Sequence, residues 1–219
     1  VSDVIDGLYW AIGMNVSGVP ANPNPARVIN LSMAAQGDCS NSFQNAISAA
    51  RSRGAVVVAA AGNNDVQGLS QPANCSGVIA VTAHTRRGDQ AYYANASAGV
   101  TISAPGGGGG TMHLDGDGDY LTSTSNNGTT VPAGADYSLV AGTSASTAHV
   151  SAVTALLIAL DPTLTPSQTS WLLTSTARAF PSASYCHGRN DCGAGMLDAT
   201  AAVQRLQDGP LPATIDQAP

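Results

Sequence analysis

The chain contains no lysine and no glutamate: its eight basic residues are all arginine, and its fourteen acidic residues are all aspartate. These absences exclude a Ser–Lys dyad, a glutamate general acid and a His-Glu-x-x-His zinc motif. Only 10% of the residues are charged, and with a formal net charge of -6 the chain has no basic stripe that could pair with phosphates. We therefore expect no nucleic-acid partner.

Long hydrophobic runs are also missing. No stretch approaches the roughly 18 consecutive apolar residues of a membrane-spanning helix, so we expect no membrane segment. The first residues, 1–3, are neither an initiator methionine nor a signal peptide, and they indicate a processed or cut end. With 219 residues, the chain is long enough for one domain with a sizeable core.

Four cysteines are present, and no Cys-x-x-Cys motif joins any two of them, which disfavours zinc and redox functions. An even number favours two disulfides in an oxidising compartment. Cys186 and Cys192 are close enough to close one short loop, which leaves Cys39 to pair with Cys75. The alternative is four buried free thiols.

Hydrophobic periodicity predicts strands that alternate with helices. The predicted strands are 28–32, 55–61, 78–82 and 100–103, and the predicted helices are 2–14, 41–53, 144–160, 165–178 and 198–206. Such alternation predicts an α/β fold with a mostly parallel sheet flanked by helices. We expect one domain over 1–207 and a tail or linker over 208–219. A hairpin is predicted over 120–131, with its turn at 126–128.

The most informative motif is Gly142-Thr143-Ser144, where a glycine turn meets the predicted long helix. The free N–H groups and the dipole of a helix N-terminus favour negative charge, so a serine there is well placed as a nucleophile. A second motif, Gly62-Asn63, ends a buried strand and supplies an amide donor. Taken alone, Ser144 also fits a helix N-cap, and Asn63 also fits an ordinary turn residue.

Four patterns follow one another along the chain: VINLS at 28–32, VVVAAAGN at 56–63, SAPG at 103–106, and GTS at 142–144 with HV at 149–150. In this order they resemble the subtilisin-like serine proteases, over residues 4–206. The ending CGAGMLDA at 192–199 is similar to that of bacterial members. The resemblance implies the family's three-layer α/β fold, a secreted bacterial protein and endopeptidase activity on polypeptides.

The resemblance also implies roles for particular residues. Ser144 would attack the scissile carbonyl to form an acyl-enzyme, while the Asn63 side chain and the Ser144 N–H bind the oxyanion. The residues that match the first specificity pocket are Ser32, Met33, Ala34, Ala60, Ala61 and Gly62, with Ser70 near its base. Small side chains predict a roomy apolar pocket, although Ala34 and Ala35 replace the family's usual Gly-Gly and would narrow it.

The family's other two catalytic motifs, Asp-Ser/Thr-Gly and His-Gly-Thr, do not occur in the chain. We expect an upstream segment, cut away or present as a separate chain, to supply the catalytic Asp and His. A propeptide or inhibitor is a further expected partner. His149 lies about 140° around the helix from Ser144 and about 7.5 Å along it, which predicts a structural role. We expect His84 and His113 to be solvated.

Some residues depart from the family pattern. Ala145 and Ala148 stand where methionine and proline are common, and a looser site would favour amines over water as acyl acceptors. The acidic stretch 115–119 does not match an EF-hand, which needs glycine and glutamate where Tyr120 and Asn126 stand, so we expect a solvated loop. Calcium is expected as a structural ion because the family often binds it, with no ligands assigned.

Three other functions are compatible with parts of the sequence. The sedolisin peptidases resemble residues 142–147, but they carry an aspartate where Asn63 stands. A catalytically inactive homologue or binding module would keep the fold alone. An α/β-hydrolase esterase would use Ser144, Asp161 and His187, although its Gly-x-Ser-x-Gly elbow would need glycine in place of Ser146.

Overall fold

The computed structural model describes residues 2–109, 119–212 and 215 of the chain. Its helices are α1 (Ser2–Ala11), α2 (Asn41–Ser52), α3 (Thr143–Leu160), α4 (Pro166–Ser175) and α5 (Ala199–Gln207). Its strands are β1 (Val28–Leu31), β2 (Val56–Ala60), β3 (Ile79–His84), β4 (Ile102–Pro105), β5 (Leu121–Asn126) and β6 (Ala135–Val140). The predicted elements are therefore present, in the predicted order.

A parallel sheet is formed by β1, β2, β3 and β4, in that order across the sheet. Runs of valine, alanine and isoleucine keep β2 and β3 buried along their whole length, as a parallel sheet covered on both faces requires. All four strands end at the same edge. The segments that follow β1, β2 and β4 therefore emerge at this edge, and they carry the motifs at 32, 63 and 106.

Helices cover both faces of this sheet, because successive side chains of each strand point to opposite sides. On one face, Val57 lies in a cluster with Leu8 of α1 and Ile47 of α2. On the other face, Val58 lies in a cluster with Leu157 of α3, to which α4 and α5 also contribute. This arrangement confirms the predicted three-layer α/β fold.

α3 is the central helix of the second layer. Its length and composition alone would allow it to cross a membrane, but it packs against all four strands of the parallel sheet. Leu157 is fully buried on the sheet side, whereas Leu156 and Leu160 are 54% and 51% exposed on the other side. α3 therefore also carries apolar side chains on a side that the other described residues leave exposed.

Both predicted disulfides form. Cys39 is bonded to Cys75, and Cys186 is bonded to Cys192, so the alternative of free thiols is wrong. The first bond ties the segment before α2 to the segment before β3. The second closes a loop that precedes α5.

The hairpin is longer than predicted. β5 and β6 pair antiparallel, with Leu121 opposite Val140 and Asn126 opposite Ala135, so the hairpin extends to 140 rather than 131. Its turn covers 127–134 and is closed by side-chain oxygens. Asn126 Oδ1 accepts from the N–H of Ala133 at 2.9 Å, and Asn127 Oδ1 accepts from the N–H of Gly134 at 2.8 Å.

Two helices end earlier than their periodicity suggested. α1 stops at Ala11 rather than 14, and α4 stops at Ser175 rather than 178. Arg178 instead pairs with Met196 through two backbone hydrogen bonds of 2.8 Å.

In the predicted tail, Leu211 packs against the α3 side of the core, and Ile215 is buried. A domain boundary at 207 stays a prediction.

Candidate active site

Gly142 turns the chain into α3. Its φ of +151° is one that side chains rarely adopt, and its N–H donates to the carbonyl of Gly106 at 2.9 Å, which ties the turn to the end of β4. Ser144 is the second residue of the helix, where N–H groups have no partner within the helix. Its backbone N–H is therefore available to negative charge.

Two hydroxyl groups fix the end of β4 next to this turn. Ser146 Oγ donates to the carbonyl of Ala104 at 3.0 Å. The hydroxyl of Tyr93 lies 2.8 Å from the carbonyl oxygens of both Gly106 and Gly107. Burial raises the pKa of Tyr93, so this hydroxyl keeps its proton and remains a donor.

Ser144 and Ser32 form a reciprocal pair. Ser144 Oγ donates to the carbonyl of Ser32 at 2.9 Å, and Ser32 Oγ donates to the carbonyl of Ser144 at 2.7 Å. The pair joins the segment after β1 to the first turn of α3. Ser32, predicted as a wall of the specificity pocket, thus also contacts the predicted nucleophile directly.

Asn63 lies beside Ser144, in the segment that follows β2. The N–H and the hydroxyl of Thr143 donate to Asn63 Oδ1 at 2.9 and 2.8 Å. These two bonds orient the amide, so that Nδ2 is turned away from Thr143. A β-carbon built on Gly142 would lie 3.3 Å from Asn63 Nδ2 and 3.7 Å from the Ser144 backbone nitrogen. The two predicted oxyanion donors therefore converge on one small region.

The predicted pocket residues come from two neighbouring segments of the chain. Ala60, Ala61 and Gly62 are buried, whereas Met33 and Ala34 are exposed. Ser70 is buried against the first group: its N–H donates to the carbonyl of Ala61 at 3.0 Å, and its Oγ lies 2.7 Å from where a β-carbon of Gly62 would stand.

Paired hydrogen bonds of 2.9 Å between Ala35 and Gln71 join the segment after β1 to the segment that carries Ser70. The assignment of these residues to substrate binding stays a prediction.

A cleft of about 560 Å³ lies beside Ser144, between the β5–β6 hairpin and α3. Its lining is mostly apolar and consists of Leu121, Thr122, Ser123, Val140, Ser144, Ala145, Ala148, His149 and Ala152. Ala145 and Ala148, which replace the family's usual methionine and proline, are both in this lining. Ser144, the predicted nucleophile, is therefore part of the wall of this cleft.

The described histidines bond to backbone carbonyls rather than to Ser144. His149 Nδ1 lies 2.9 Å from the carbonyl of Ala145, within its own helix, as expected for a structural role. His84 is buried in β3 with Nδ1 2.7 Å from the carbonyl of Thr85, so the expectation of a solvated side chain is wrong. β3 continues two residues past its predicted end and carries His84 into the core. His113 lies outside the described residues.

Among the described residues, neither the esterase triad nor a metal cluster is assembled. Asp161 caps the far end of the 18-residue α3, which places it about 25 Å from Ser144 and excludes it as a triad partner. Its carboxylate accepts hydrogen bonds from Thr163, which lower its pKa. Within 2–109, 119–212 and 215, no three His, Cys or Asp side chains are grouped to hold an ion. Of the acidic stretch 115–119, only Asp119 is described.

Two contributors to the site were missed by the sequence reasoning. Thr143 is part of the recognised motif, but nothing in the sequence shows that it bonds to Asn63 across 80 positions. Asn95 lies behind the Asn63 segment and is 1% exposed. The sequence around Asn95 does not indicate its burial or its contacts, because it is flanked by alanines and belongs to no recognisable motif.

The parallel sheet, the central helix with Ser144 in its first turn, and the Asn63 amide beside Ser144 define a subtilisin-like α/β protein. A protein-family sequence model, described as Subtilase family, matches residues 1–205 of the chain. The chain therefore belongs to the subtilase family.

Known proteins support this assignment. The chain is 47% identical over 212 residues to an extracellular protease of Xanthomonas campestris pv. campestris, and 38% identical over 212 residues to an extracellular basic protease of Dichelobacter nodosus. These matches cover 95% and 94% of the chain, but only 34% and 32% of the relatives. The chain thus spans about a third of the length of these two curated relatives.

A solved protease structure from Pseudoalteromonas arctica is 42% identical, with a TM-score of 0.84. That match covers 94% of the chain and 58% of the solved structure. The solved structure therefore contains a substantial part to which this chain has no counterpart.

Proposed function

We propose that this chain is the C-terminal part of the catalytic domain of a secreted serine endopeptidase. The observation that carries the proposal is the position of Ser144 at the start of α3, beside an asparagine amide that Thr143 orients. The triad Asp and His belong to an upstream segment of the same protein. Hydrolysis therefore needs both parts.

Ser144 Oγ attacks the scissile carbonyl and gives its proton to the upstream histidine, which passes it to the leaving amine. The new C–O bond makes a tetrahedral intermediate, whose oxyanion accepts from Asn63 Nδ2 and the Ser144 N–H. Collapse of this intermediate breaks the peptide bond and leaves an acyl-enzyme. Water, deprotonated by the same histidine, then releases the acyl group and restores the serine.

The upstream segment binds the exposed side of α3 and the adjoining cleft. A helix that is apolar on all sides is normally buried, and the uncovered side here includes Ala152, Leu156 and Leu160. The cleft brings a bound partner to Ser144 itself. The extra length of the relatives supplies a candidate for this partner, because each match leaves most of the relative uncovered.

Secretion is supported by the two disulfides and by relatives that are named extracellular proteases. The substrate is a polypeptide, and a propeptide or inhibitor is proposed as a further partner. Calcium as a structural ion also stays a proposal, and no ligands are assigned to it. No step of the mechanism depends on it.

The test compares the chain alone with the chain joined to, or co-expressed with, the upstream segment. We expect peptide hydrolysis only when both parts are present, and none with Ser144→Ala. Leu156→Asp should weaken assembly, whereas Val131→Asp, at an exposed apolar residue in the hairpin turn, should not. If both parts assemble and remain inactive, the protein is an inactive homologue.

The sedolisin alternative is tested by pH. A histidine base gives activity that rises with pH through about 7, because the neutral imidazole is the active form. Activity confined to acidic pH would instead favour a carboxylate base. The presence of Asn63 in the oxyanion position argues against that outcome.

A further inference from the structure

Asn95 is a buried asparagine in the segment between β3 and β4, and all of its polar groups are hydrogen-bonded. Its N–H donates to the carbonyl of Gly62 at 3.0 Å, and its Nδ2 donates to the carbonyl of Ala61 at 3.2 Å. Its Oδ1 accepts from the N–H of Asn64 at 2.9 Å, and its carbonyl accepts from Thr82 Oγ1 at 2.7 Å.

Three of these four bonds go to the residues that flank Asn63. The two residues before it and the one after it are each held by Asn95, while the Asn63 side chain itself remains exposed. The fourth bond anchors Asn95 to β3, through the fully buried Thr82. The backbone on both sides of Asn63 is thereby fastened to the rigid sheet.

Gly62 allows this close approach. It has a φ of +118°, and a β-carbon on it would lie 2.5 Å from Asn95 Nδ2. Only glycine leaves room for the asparagine amide at this distance. The contact between the Asn95 amide and the backbone before Asn63 therefore requires glycine at position 62.

We propose that Asn95 is a positioning residue for the oxyanion hole. It fixes the backbone around Asn63, while Thr143 fixes the far end of the side chain. A preorganised donor stabilises a developing oxyanion because it needs no reorientation during the reaction, and a displacement of about 1 Å removes much of the effect. This inference rests on the proposed function of Ser144 and Asn63.

The experiment uses the active protein that contains the upstream segment. Asn95→Ala removes both side-chain bonds, and Thr82→Val removes the anchor to β3 with little change in shape. We expect Asn95→Ala to lower kcat by about tenfold or more while KM changes by less than about twofold, because the donor acts in the transition state. Thr82→Val should give a smaller loss of the same kind.

The matched control is Gln44→Ala, which also removes a side-chain amide that bridges backbone groups. Gln44 bonds to the N–H and the carbonyl of Ser76, at 2.8 and 3.1 Å, away from the Asn63 segment. Its loss should leave kcat unchanged. Thermal unfolding of each variant shows whether the fold is retained, and if Asn95→Ala does not fold, Thr82→Val decides.

A double-mutant cycle with Asn63→Ala separates positioning from general stability. If Asn95 acts through Asn63, its loss in the Asn63→Ala background should lower kcat by less than about twofold. Fully additive effects, or an unchanged kcat in the folded single variants, would overturn the inference. An inactive wild-type protein would overturn the proposed function as well, so the two failures are distinguishable.

Discussion

Thr143 donates two hydrogen bonds to one oxygen of Asn63, from its backbone N–H at 2.9 Å and from its hydroxyl at 2.8 Å. The residue before the proposed nucleophile thus holds the side chain of the proposed oxyanion donor. A rotated amide would place a hydrogen-bond donor against these two donors, so Nδ2 is the group left for substrate. One contact therefore sets both the orientation of the amide and its distance from Ser144.

Thr143→Val should lower kcat of the assembled enzyme by about three- to tenfold. The substitution removes the hydroxyl bond and keeps the backbone bond, and a neutral hydrogen bond contributes about 1 kcal/mol. Thr143→Ser keeps the hydroxyl and should remain close to wild type. Steady-state kinetics of both variants test this, and equal rates for valine and threonine at 143 would show that the hydroxyl has no role.

Asn63→Ala should lower kcat by about 10²–10³ with little change in KM, a magnitude taken from the equivalent asparagine of subtilisin. The reason is that the amide is the proposed donor to the oxyanion, which exists only in the transition state and the intermediate. Asn63→Asp is the isosteric comparison and should lose at least as much, because it replaces a donor by a negative charge. A loss of binding with unchanged turnover would contradict the assignment.

The two disulfides should contribute unequally to stability. They close segments with sequence separations of 36 and 6, and in the chain-entropy model loops of these lengths correspond to about 4 and about 2 kcal/mol. Replacing Cys39 and Cys75 together by alanine should therefore lower the free energy of unfolding more than replacing Cys186 and Cys192. Urea unfolding of the two double variants measures this, and the reverse order would refute it.

A pH-dependent contribution is expected from Asp191. Hydrogen bonds from Arg189, including one from Nε at 2.9 Å, lower the pKa of the Asp191 carboxyl. A carboxylate with a lowered pKa stabilises the fold above its unfolded pKa of about 3.9, and this stabilisation is lost as pH falls through the folded pKa. The destabilisation caused by Arg189→Ala should therefore be largest at neutral pH and shrink below about pH 4.

Arg205→Ala is the matched control for this pH effect. Arg189 stacks on the ring of Tyr185, with Cζ 4.2 Å from the ring centroid, and Arg205 stacks on the ring of Trp171 at 5.1 Å. The Arg205 guanidinium, however, bonds backbone carbonyls rather than a carboxylate. Arg205→Ala should lower the free energy of unfolding by the same amount at neutral and at acidic pH. Urea midpoints at pH 7, 5 and 3 compare the two variants, and a pH-independent effect of Arg189→Ala would contradict the account.

The fold and the centre of the site could be predicted because they depend on local patterns. The buried apolar run of β2 identified a parallel sheet, and the Gly142–Ser144 turn identified the start of the central helix. Parallel strands end at one edge, so the motifs after β1, β2 and β4 had to meet there. The disulfide pairing followed from the spacing of four cysteines.

Other features depend on contacts between distant parts of the chain. His84 is buried because β3 continues past the apolar run that marked it. The hairpin turn is set by side-chain bonds of Asn126 and Asn127 that span several residues. The contacts that orient Asn63, from Thr143 and Asn95, join three separate segments and exist only in the folded chain.

The most direct test of the central claim is labelling by a fluorophosphonate probe, with the adduct mapped by mass spectrometry. The account predicts labelling at Ser144 when the upstream segment is bound, and little or none in the chain alone, because an isolated serine lacks its base. Asn63→Ala should slow the labelling of the assembled protein. Failure of the assembled wild-type protein to label at Ser144, or labelling at a different serine, would contradict the account.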